Sequence, residues 1–231
     1  MIDAVIHDWL RGRTRQHASR QQRQVIAVDR KEARGAKNSG GTSAFLFAAL
    51  DHATGPVIGQ DSIGEKTNEI PHFQPPLDQI PDLPEVVVTA DALHAQREHV
   101  EYLHGGGAHY VLTVKLNQRA PRQDRFTNLV APPPQHIRSQ KSHDRTTTWA
   151  ITAQPAQAWI DFSHSKQTIR LTRDRRNHRT GVKTREHVFL ITSLTADEAT
   201  PEQLFAYVRG HCGIENRLHW VRDITYQEDQ S

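Results

Sequence analysis

Three carboxylates stand at positions where a fold could bring them together. Asp29 ends the apolar run VIAVD, Asp91 ends the apolar run VVVTAD, and Glu215 lies in a helix-like segment near the end of the chain. Carboxylate oxygens are the ligands that hard divalent cations such as Mg²⁺ or Mn²⁺ prefer. Two such ions about 4 Å apart can activate a water or hydroxyl for in-line attack on phosphorus. The three side chains are therefore candidate catalytic metal ligands for phosphodiester chemistry, although spacing alone does not single them out from the 26 acidic residues.

The other reactive side chains favour different chemistries less. Cys212 is the single cysteine, which excludes an intramolecular disulfide, a zinc ribbon and a CxxC redox pair. The 15 histidines have no HExxH spacing. Cys212 could act as a nucleophile beside His211 or His219 only if its thiol pKa were lowered, and nothing in the sequence provides for that. His94 could orient a metal-bound carboxylate or cap a helix turn, and both interpretations stay open.

The elements that must position these groups follow from short apolar runs. Five runs have the length and composition of strands. The runs are VIAVD (25–29), AFLFAALD (44–51), PVIGQDSI (56–63), VVVTAD (86–91) and HYVLTV (109–114). The DHATG turn predicts an antiparallel hairpin of the second and third runs. A helix is expected over 92–103, whereas Pro75 and Pro76 should break or kink a helix at 69–80. This order predicts a mixed sheet of the α/β class, with Asp29 and Asp91 at the strand ends where such sheets bind ligands.

The second half of the chain has a mainly β pattern. TTTWAIT, QAWIDF, QTIRLT and EHVFLIT are strand-like, and residues 131–145 are typical of an exposed, proline-rich connection. Two of the pieces, at 169–172 and 188–192, could also extend the main sheet. Thr200 followed by PEQ predicts the start of the helix that carries Glu215, with Gly210 and Gly213 as candidate breaks.

The net charge of +3 conceals alternating blocks. Residues 1–37 hold 9 basic and 4 acidic side chains and residues 115–186 hold 15 and 5, whereas 38–114 hold 2 and 10 and 187–231 hold 3 and 7. This pattern fits a polyanion bound beside a carboxylate-rich site, and solvated faces are the alternative. The arginine-rich segment 170–185 could lie along a phosphate backbone or form an exposed hairpin tip. No apolar run reaches about 18 residues and no signal peptide is evident, so a cytoplasmic, nucleoid-associated protein is expected.

Four segments of the sequence closely resemble the DDE transposases of bacterial insertion sequences, with the H-repeat-associated transposases as the nearest branch. The segments are VIAVDRKEARGA, LFAALDHATGPVIGQDSIGEKTNEIPHFQPPLD, VVVTADALHAQREHVEYLHGGGAHYVLTVKLNQ and VRGHCGIENRLHWVRDITYQED, in family order. The resemblance covers about residues 22–231. It implies an RNase H-like catalytic core with a β-rich insertion. The implied parts are a remnant of an N-terminal helical region (1–21), the first part of the core (22–130), the basic insertion (131–186), and the last strand with the glutamate helix (187–231).

The resemblance also implies residue roles. Asp29, Asp91 and Glu215 would hold a divalent metal, Mg²⁺ or Mn²⁺ and as a pair of ions, for DNA cleavage and strand transfer at element ends. Lys115, Asn117 and Gln118 match the VK-x-NQ block, and the last helix of the family supplies further matches. The residues expected to contact DNA are Lys115, Asn117, Gln118, Arg170, Arg173, Arg175, Arg176, Arg179, Arg209 and Arg222. The residues expected to support the site are His94, His211, Asn216 and His219.

Several features depart from the family pattern. Arg30 stands where glycine is usual, and Cys212 replaces a tryptophan. The relatives extend beyond both ends of this chain, so the resemblance implies truncation at both ends. The partner expected is double-stranded DNA, as transposon ends and target, without a membrane, and a second copy of the chain is a candidate partner in the DNA complex. Two alternatives stay open: a DNA-binding remnant without catalysis, and a metal-dependent nuclease that hydrolyses without strand transfer.

Overall fold

The computed structural model describes residues 23–37, 43–63, 70–115 and 132–213. Nine strands within these ranges form one mixed sheet in the order β3-β2-β1-β4-β5-β9-β8-β7-β6. The strands are β1 (Val25–Lys37), β2 (Ser43–Asp51), β3 (Val57–Ile63), β4 (Val87–Ala90), β5 (His109–Val114), β6 (His136–Ser142), β7 (Arg145–Pro155), β8 (Gln167–Asn177) and β9 (Lys183–Thr192). The helices are α1 (Gln74–Asp78), α2 (Arg97–Gly105) and α3 (Pro201–Gly213). The prediction of a mixed α/β sheet is confirmed.

The first three strands form an antiparallel meander. β1 pairs with β2, and β2 pairs with β3. The turn between β2 and β3 is closed by Asp51, whose Oδ1 accepts hydrogen bonds from the Thr54 N–H (2.8 Å) and hydroxyl (2.7 Å). These bonds within the turn favour it locally, and Gln24 Nε2 donates to the other carboxylate oxygen of Asp51 (2.8 Å). The predicted hairpin is confirmed.

β1, β4 and β5 run parallel to one another. The segment between β4 and β5 is not the single helix that the sequence predicts, but a 3-10 turn at Ala92–His94 followed by α2. Gln96 has an extended backbone (φ −110°, ψ 148°), which separates the two pieces and lets the His94 ring enter the core. Gly107, with φ +71°, turns the chain into β5, a conformation that favours glycine.

The last four strands continue the same sheet beyond β5. β9 pairs antiparallel with β5, and β8, β7 and β6 follow outward. Two sequence interpretations are wrong here. Residues 136–142, expected in an exposed connection, form the edge strand β6. The prediction missed this strand because a polar edge strand carries no hydrophobic alternation. The QAWIDF segment forms a loop with local hydrogen bonds and not a strand. Its strand-like composition reflects burial, because Ile160 and Phe162 enter the core from this loop.

Both faces of the sheet around β1, β4 and β5 are covered by helices. Because side chains alternate along each strand, Ile26, Val28 and Val88 are buried on the face of α1 and α2, and Val87 and Val111 on the face of α3. We call the side of the sheet that carries Val87 and Val111 the α3 face. Among the described residues no helix is long and apolar enough to span a membrane.

Two helix starts follow local rules. Pro75 lies in the first turn of α1, where proline is tolerated. The predicted break is present, because the stretch divides into a 3-10 turn at Ile70–His72 and the short helix α1. Thr200 and Gln203 form a reciprocal capping box at the start of α3: the Gln203 N–H donates to Thr200 Oγ1 (3.3 Å), and the Thr200 N–H donates to Gln203 Oε1 (2.9 Å). The start of the predicted helix is confirmed.

Candidate active site

The parallel register of β1 and β4 places Asp29 beside Asp91. The final pair of this ladder is Val28 with Ala90, an offset of 62 residues, and one further step gives Asp29 and Asp91. Neighbouring strands lie about 4.8 Å apart, so the two Cα atoms belong to adjacent positions. Alternation from Val25 and Val87 places both carboxylates on the α3 face.

The sequence places Asp29 at a strand end, but β1 continues to Lys37. Beyond Val28 it is paired with β2 alone, because β4 ends at Ala90. Asp29 therefore marks the point where β1 loses one neighbour. Its Oδ1 accepts a hydrogen bond from the Arg30 backbone N–H (2.8 Å). Arg30 is not among the described non-glycine residues with positive φ, so the backbone here accepts an arginine in place of the family glycine without strain.

Asp91 is held at both carboxylate oxygens. Oδ1 accepts from the Leu93 N–H (2.6 Å), and Oδ2 accepts from Lys115 Nζ (3.1 Å). Burial by itself would raise the pKa of Asp91, but the hydrogen bond from Leu93, the Lys115 ammonium and the charge of His94 together lower it. The carboxylate is therefore ionised at neutral pH, as a ligand for a cation must be.

Lys115 is the part of this arrangement that a substitution can test. Lys115→Met removes both a hydrogen bond and a positive charge from Asp91, so we expect the pKa of Asp91 to rise. Carboxyl ¹³C NMR titration of both proteins in metal-free buffer measures this directly. The Leu93 N–H stays in place and keeps the local turn intact. An unchanged or lower pKa would show that Lys115 does not set the charge state of Asp91.

A buried polar network joins α3 to the sheet two residues before Asp91. The Thr89 hydroxyl donates to the Ile26 carbonyl oxygen (3.3 Å) and lies 3.2 Å from His52 Nε2 and 3.1 Å from His211 Nδ1. Burial lowers the pKa of His211, while the Asp91 charge and the Thr89 hydrogen bond act against that shift. His211 therefore stays predominantly neutral at pH 7. Sequence reasoning missed Thr89, although a single threonine in the run VVVTAD was a visible signal.

Gly210 lets α3 approach the sheet at this network. A Cβ atom added to Gly210 would lie 2.2 Å from His52 Nδ1 and 2.9 Å from His52 Cε1. No real Cβ contact is that short, so only glycine fits the observed packing. Sequence reasoning did not select His52 either.

His94 lies on the other side of the sheet. Its ring contacts Phe47 (centroids 5.0 Å apart), Phe73 (5.4 Å) and His99 (5.5 Å). Burial, aided by the nearby His99 charge, lowers the pKa of His94 to about 4. A neutral imidazole in an aromatic cluster acts as a packing residue beneath the Asp91 turn.

The arginine-rich segment 170–185 lies in a β-hairpin and is also partly paired. Arg185 forms two hydrogen bonds to Asp174 (2.6 and 2.7 Å), and Arg173 pairs with Glu186. Arg179 lies 3.9 Å from Asp144 near the tip. The predicted hairpin is present in this segment, and contact of its arginines with a phosphate backbone stays a prediction. Arg209 of α3 stacks over Trp149 of β7, with its guanidinium carbon 4.2 Å from the ring centroid.

Several residues that the sequence singles out lie outside the described part of the chain. They are Asn117, Gln118, Glu215, Asn216, His219 and Arg222, together with the side chain of Cys212. Within residues 23–37, 43–63, 70–115 and 132–213, no three His, Cys, Asp or Glu side chains are grouped as a metal site. Glu215, the third predicted ligand, falls beyond these ranges, so the complete predicted set is not among the described residues.

Known proteins resemble this chain over most of its length. Two curated proteins of Escherichia coli (strain K12), "Putative protein YbfL" and "H repeat-associated putative transposase YhhI", are each 26% identical over 217 residues, covering 89% of this chain and 57% of the relative. The chain thus spans little more than half the length of these relatives. Among solved structures, the piggyBac transposase synaptic complex with hairpin DNA aligns with a TM-score of 0.45 and 12% identity, over 83% of this chain and 39% of the other.

The family assignment rests on sequence. The model of the family described as "Transposase DDE domain" matches residues 20–231, which includes both aspartates of the candidate site and the helix α3. The chain therefore belongs to the transposase DDE domain family, as its resemblance to H-repeat-associated transposases had indicated.

Proposed function

We propose that this chain is the catalytic part of a DNA transposase, which cleaves DNA and transfers the cut strand in a metal-dependent reaction through Asp29, Asp91 and Glu215. The observation that carries the proposal is the β1–β4 register, which makes the two aspartates neighbours on the α3 face. Glu215 follows Gly213, the last described residue of α3, by two positions.

The strand order supports an RNase H-like core. β3, β2 and β1 are antiparallel neighbours, and β1, β4 and β5 are parallel neighbours in the order β3-β2-β1-β4-β5. Helices lie on both faces of this five-stranded part. The strands β6 to β8 then correspond to the basic insertion expected over 131–186, and β9, which pairs with β5, corresponds to the last strand of the core.

The donors present suit a hard divalent cation such as Mg²⁺ or Mn²⁺. Asp29 and Asp91 supply carboxylate oxygens, and Asp91 is ionised because Leu93 and Lys115 stabilise its charge. When bound, two such ions supply Lewis-acid activation of the attacking and leaving oxygens at phosphorus. The protein's own part is to hold these carboxylates at a fixed spacing through the strand register, and to fix Asp91 further through the Leu93 N–H.

Lys115 has a second role in this proposal. Its ammonium lies 3.1 Å from Asp91 Oδ2 and its side chain is more than half exposed, at 57%. It can therefore balance the carboxylate charge and also reach a phosphate oxygen at the same edge of the sheet. Its place directly after β5 puts it on the α3 face with both aspartates, by the alternation from Val111.

Incubation of the purified protein with supercoiled plasmid and Mg²⁺ or Mn²⁺ tests the proposed function. We expect nicked circles that are absent with EDTA, and joined products when a labelled duplex with a free 3′-hydroxyl is added. Nicking without joined product would instead favour a metal-dependent nuclease. DNA retention by folded protein without nicking would favour a binding remnant and contradict the proposal.

A further inference from the structure

We propose that the strands β6 to β9 bind duplex DNA through one face only, the α3 face, and that Arg138 and Arg145 are phosphate contacts on it. This inference rests on the proposed function, because it concerns how DNA reaches the carboxylates. It divides the arginines that the sequence offered into two groups with different roles.

The outer parts of these strands project past the candidate active site. β5 ends its pairing with β9 at Val114 and Phe189, so residues 183–188 extend beyond the carboxyl end of β5. At about 3.4 Å per residue this overhang is about 20 Å long. β8, β7 and β6 accompany it through residues 171–177 and 136–150. We call these paired segments the arm. It starts beside Lys115, next to Asp91.

The register shows which side chains of the arm share the α3 face. Arg138, Trp149, Arg173 and Glu186 lie directly opposite one another on the four strands, and side chains in such a row lie on the same face. Trp149 is buried beneath Arg209 of α3. The whole row therefore lies on the α3 face, and Arg145 and Arg175, at even spacings along β7 and β8, lie on it too.

The side chains on the α3 face of the arm are mainly cationic, as a surface that binds a polyanion requires. Glu186 pairs with both Arg173 and Arg175, which holds two guanidinium groups side by side along β8. Arg138 and Arg145 are exposed and have no carboxylate partner among the described residues. Arginine in this setting forms charge-assisted hydrogen bonds to phosphate oxygens. A duplex lying along these side chains continues directly onto the edge that holds Lys115, Asp91 and Asp29.

The opposite face of the arm is also basic, but it points away from the carboxylates. Lys141, Arg176 and Lys183 form one exposed row there, and Asp174 and Arg185 pair in the next row. DNA bound on that side would be separated from Asp29 and Asp91 by the sheet itself. The proposal therefore leaves Arg170 and Arg176, which the sequence offered as DNA contacts, outside the DNA-binding surface.

Two variants with equal charge change test this assignment. Arg138→Gln/Arg145→Gln/Arg175→Gln removes three cations from the α3 face, and Lys141→Gln/Arg176→Gln/Lys183→Gln removes three from the other. Binding to a labelled 30-base-pair duplex is followed by fluorescence anisotropy between 50 and 200 mM KCl, with EDTA to prevent cleavage. For the α3-face variant we expect the slope of log K against log salt to fall by at least about 1.8, because Arg138 and Arg145 each contribute about 0.9 as phosphate contacts. The control variant should change it by less than about 1.

A single-residue pair repeats the comparison if a triple variant does not fold. Arg138 and Lys141 lie on the same exposed edge strand but on opposite faces. Arg138→Gln should lower the slope by about 0.9, and Lys141→Gln should leave it unchanged. Equal decreases of the salt slope for the two faces, or a larger decrease for the face opposite the α3 face, would overturn the assignment. The proposed function is judged separately, by wild-type nicking and joining, so the two ideas can fail independently.

Discussion

Asp91→Asn is expected to lower metal-dependent plasmid nicking by more than about 100-fold while DNA retention stays close to that of the wild type. The substitution removes the carboxylate charge that a divalent cation requires, but it removes no phosphate contact. Asp91 also accepts the Leu93 N–H at the start of a 3-10 turn, and asparagine caps such turns about as well as aspartate. The fold should therefore survive, and nicking and anisotropy assays on the same preparation separate catalysis from binding.

The control for Asp91→Asn is the same change at Asp197. Asp197 is exposed and lies in the loop just before α3. It precedes Glu198, whose backbone carbonyl accepts a hydrogen bond from Arg23, two residues before β1. Asp197→Asn should leave nicking unchanged. If Asp91→Asn nicks plasmid as fast as the wild type, Asp91 is not a metal ligand and the proposed site is wrong. The lost Lys115 pair has little bearing on stability, because exposed ion pairs contribute at most about 1 kcal/mol.

Gly210→Ala is expected to destabilise the protein by about 1–2 kcal/mol and to lower nicking by about 100-fold. In most helices this substitution stabilises, by up to about 1 kcal/mol, because alanine is the better helix former. Here the new methyl group would enter the His52 ring, so α3 must move outward or His52 must leave Thr89. Outward movement shifts the end of α3, and displacement of His52 disturbs the Thr89 network that joins α3 to the sheet. Urea unfolding and nicking rates measure the two effects.

A matched glycine and a double variant make the Gly210 prediction specific. A methyl group added to Gly105 in α2 would meet no described atom within 4 Å outside its own helix and neighbours, so Gly105→Ala should be neutral or stabilising. In a His52→Ala background the obstacle is gone, and Gly210→Ala should then become neutral or stabilising. This reversal of sign is the double-mutant signature of a direct contact. Destabilisation by Gly210→Ala of equal size with and without His52 would contradict the packing argument.

The elements could be predicted from sequence wherever a local signal dominates. The Asp51 turn, the strand at 109–114 and the Thr200 capping box each depend on neighbouring residues, and all three are confirmed. The predictions failed where burial came from distant contacts. QAWIDF has a strand-like composition, but its apolar side chains fill the core from a loop. β6 has almost no apolar pattern, yet it is a strand because β7 supplies its hydrogen-bond partners.

The candidate site, like the fold, was predictable from sequence only in its local features. The sequence by itself determined which residue types could bind a metal, because Asp29 and Asp91 follow apolar runs whose composition forms strands. Only the tertiary structure decided that β1 and β4 pair with an offset of 62 residues and so make the aspartates neighbours. It also decided that Thr89, His52 and Gly210 join α3 to the sheet, and that Arg175 and Arg176 lie on opposite faces of the arm. Local composition sets secondary structure, whereas strand register and helix packing depend on contacts between residues far apart in the chain.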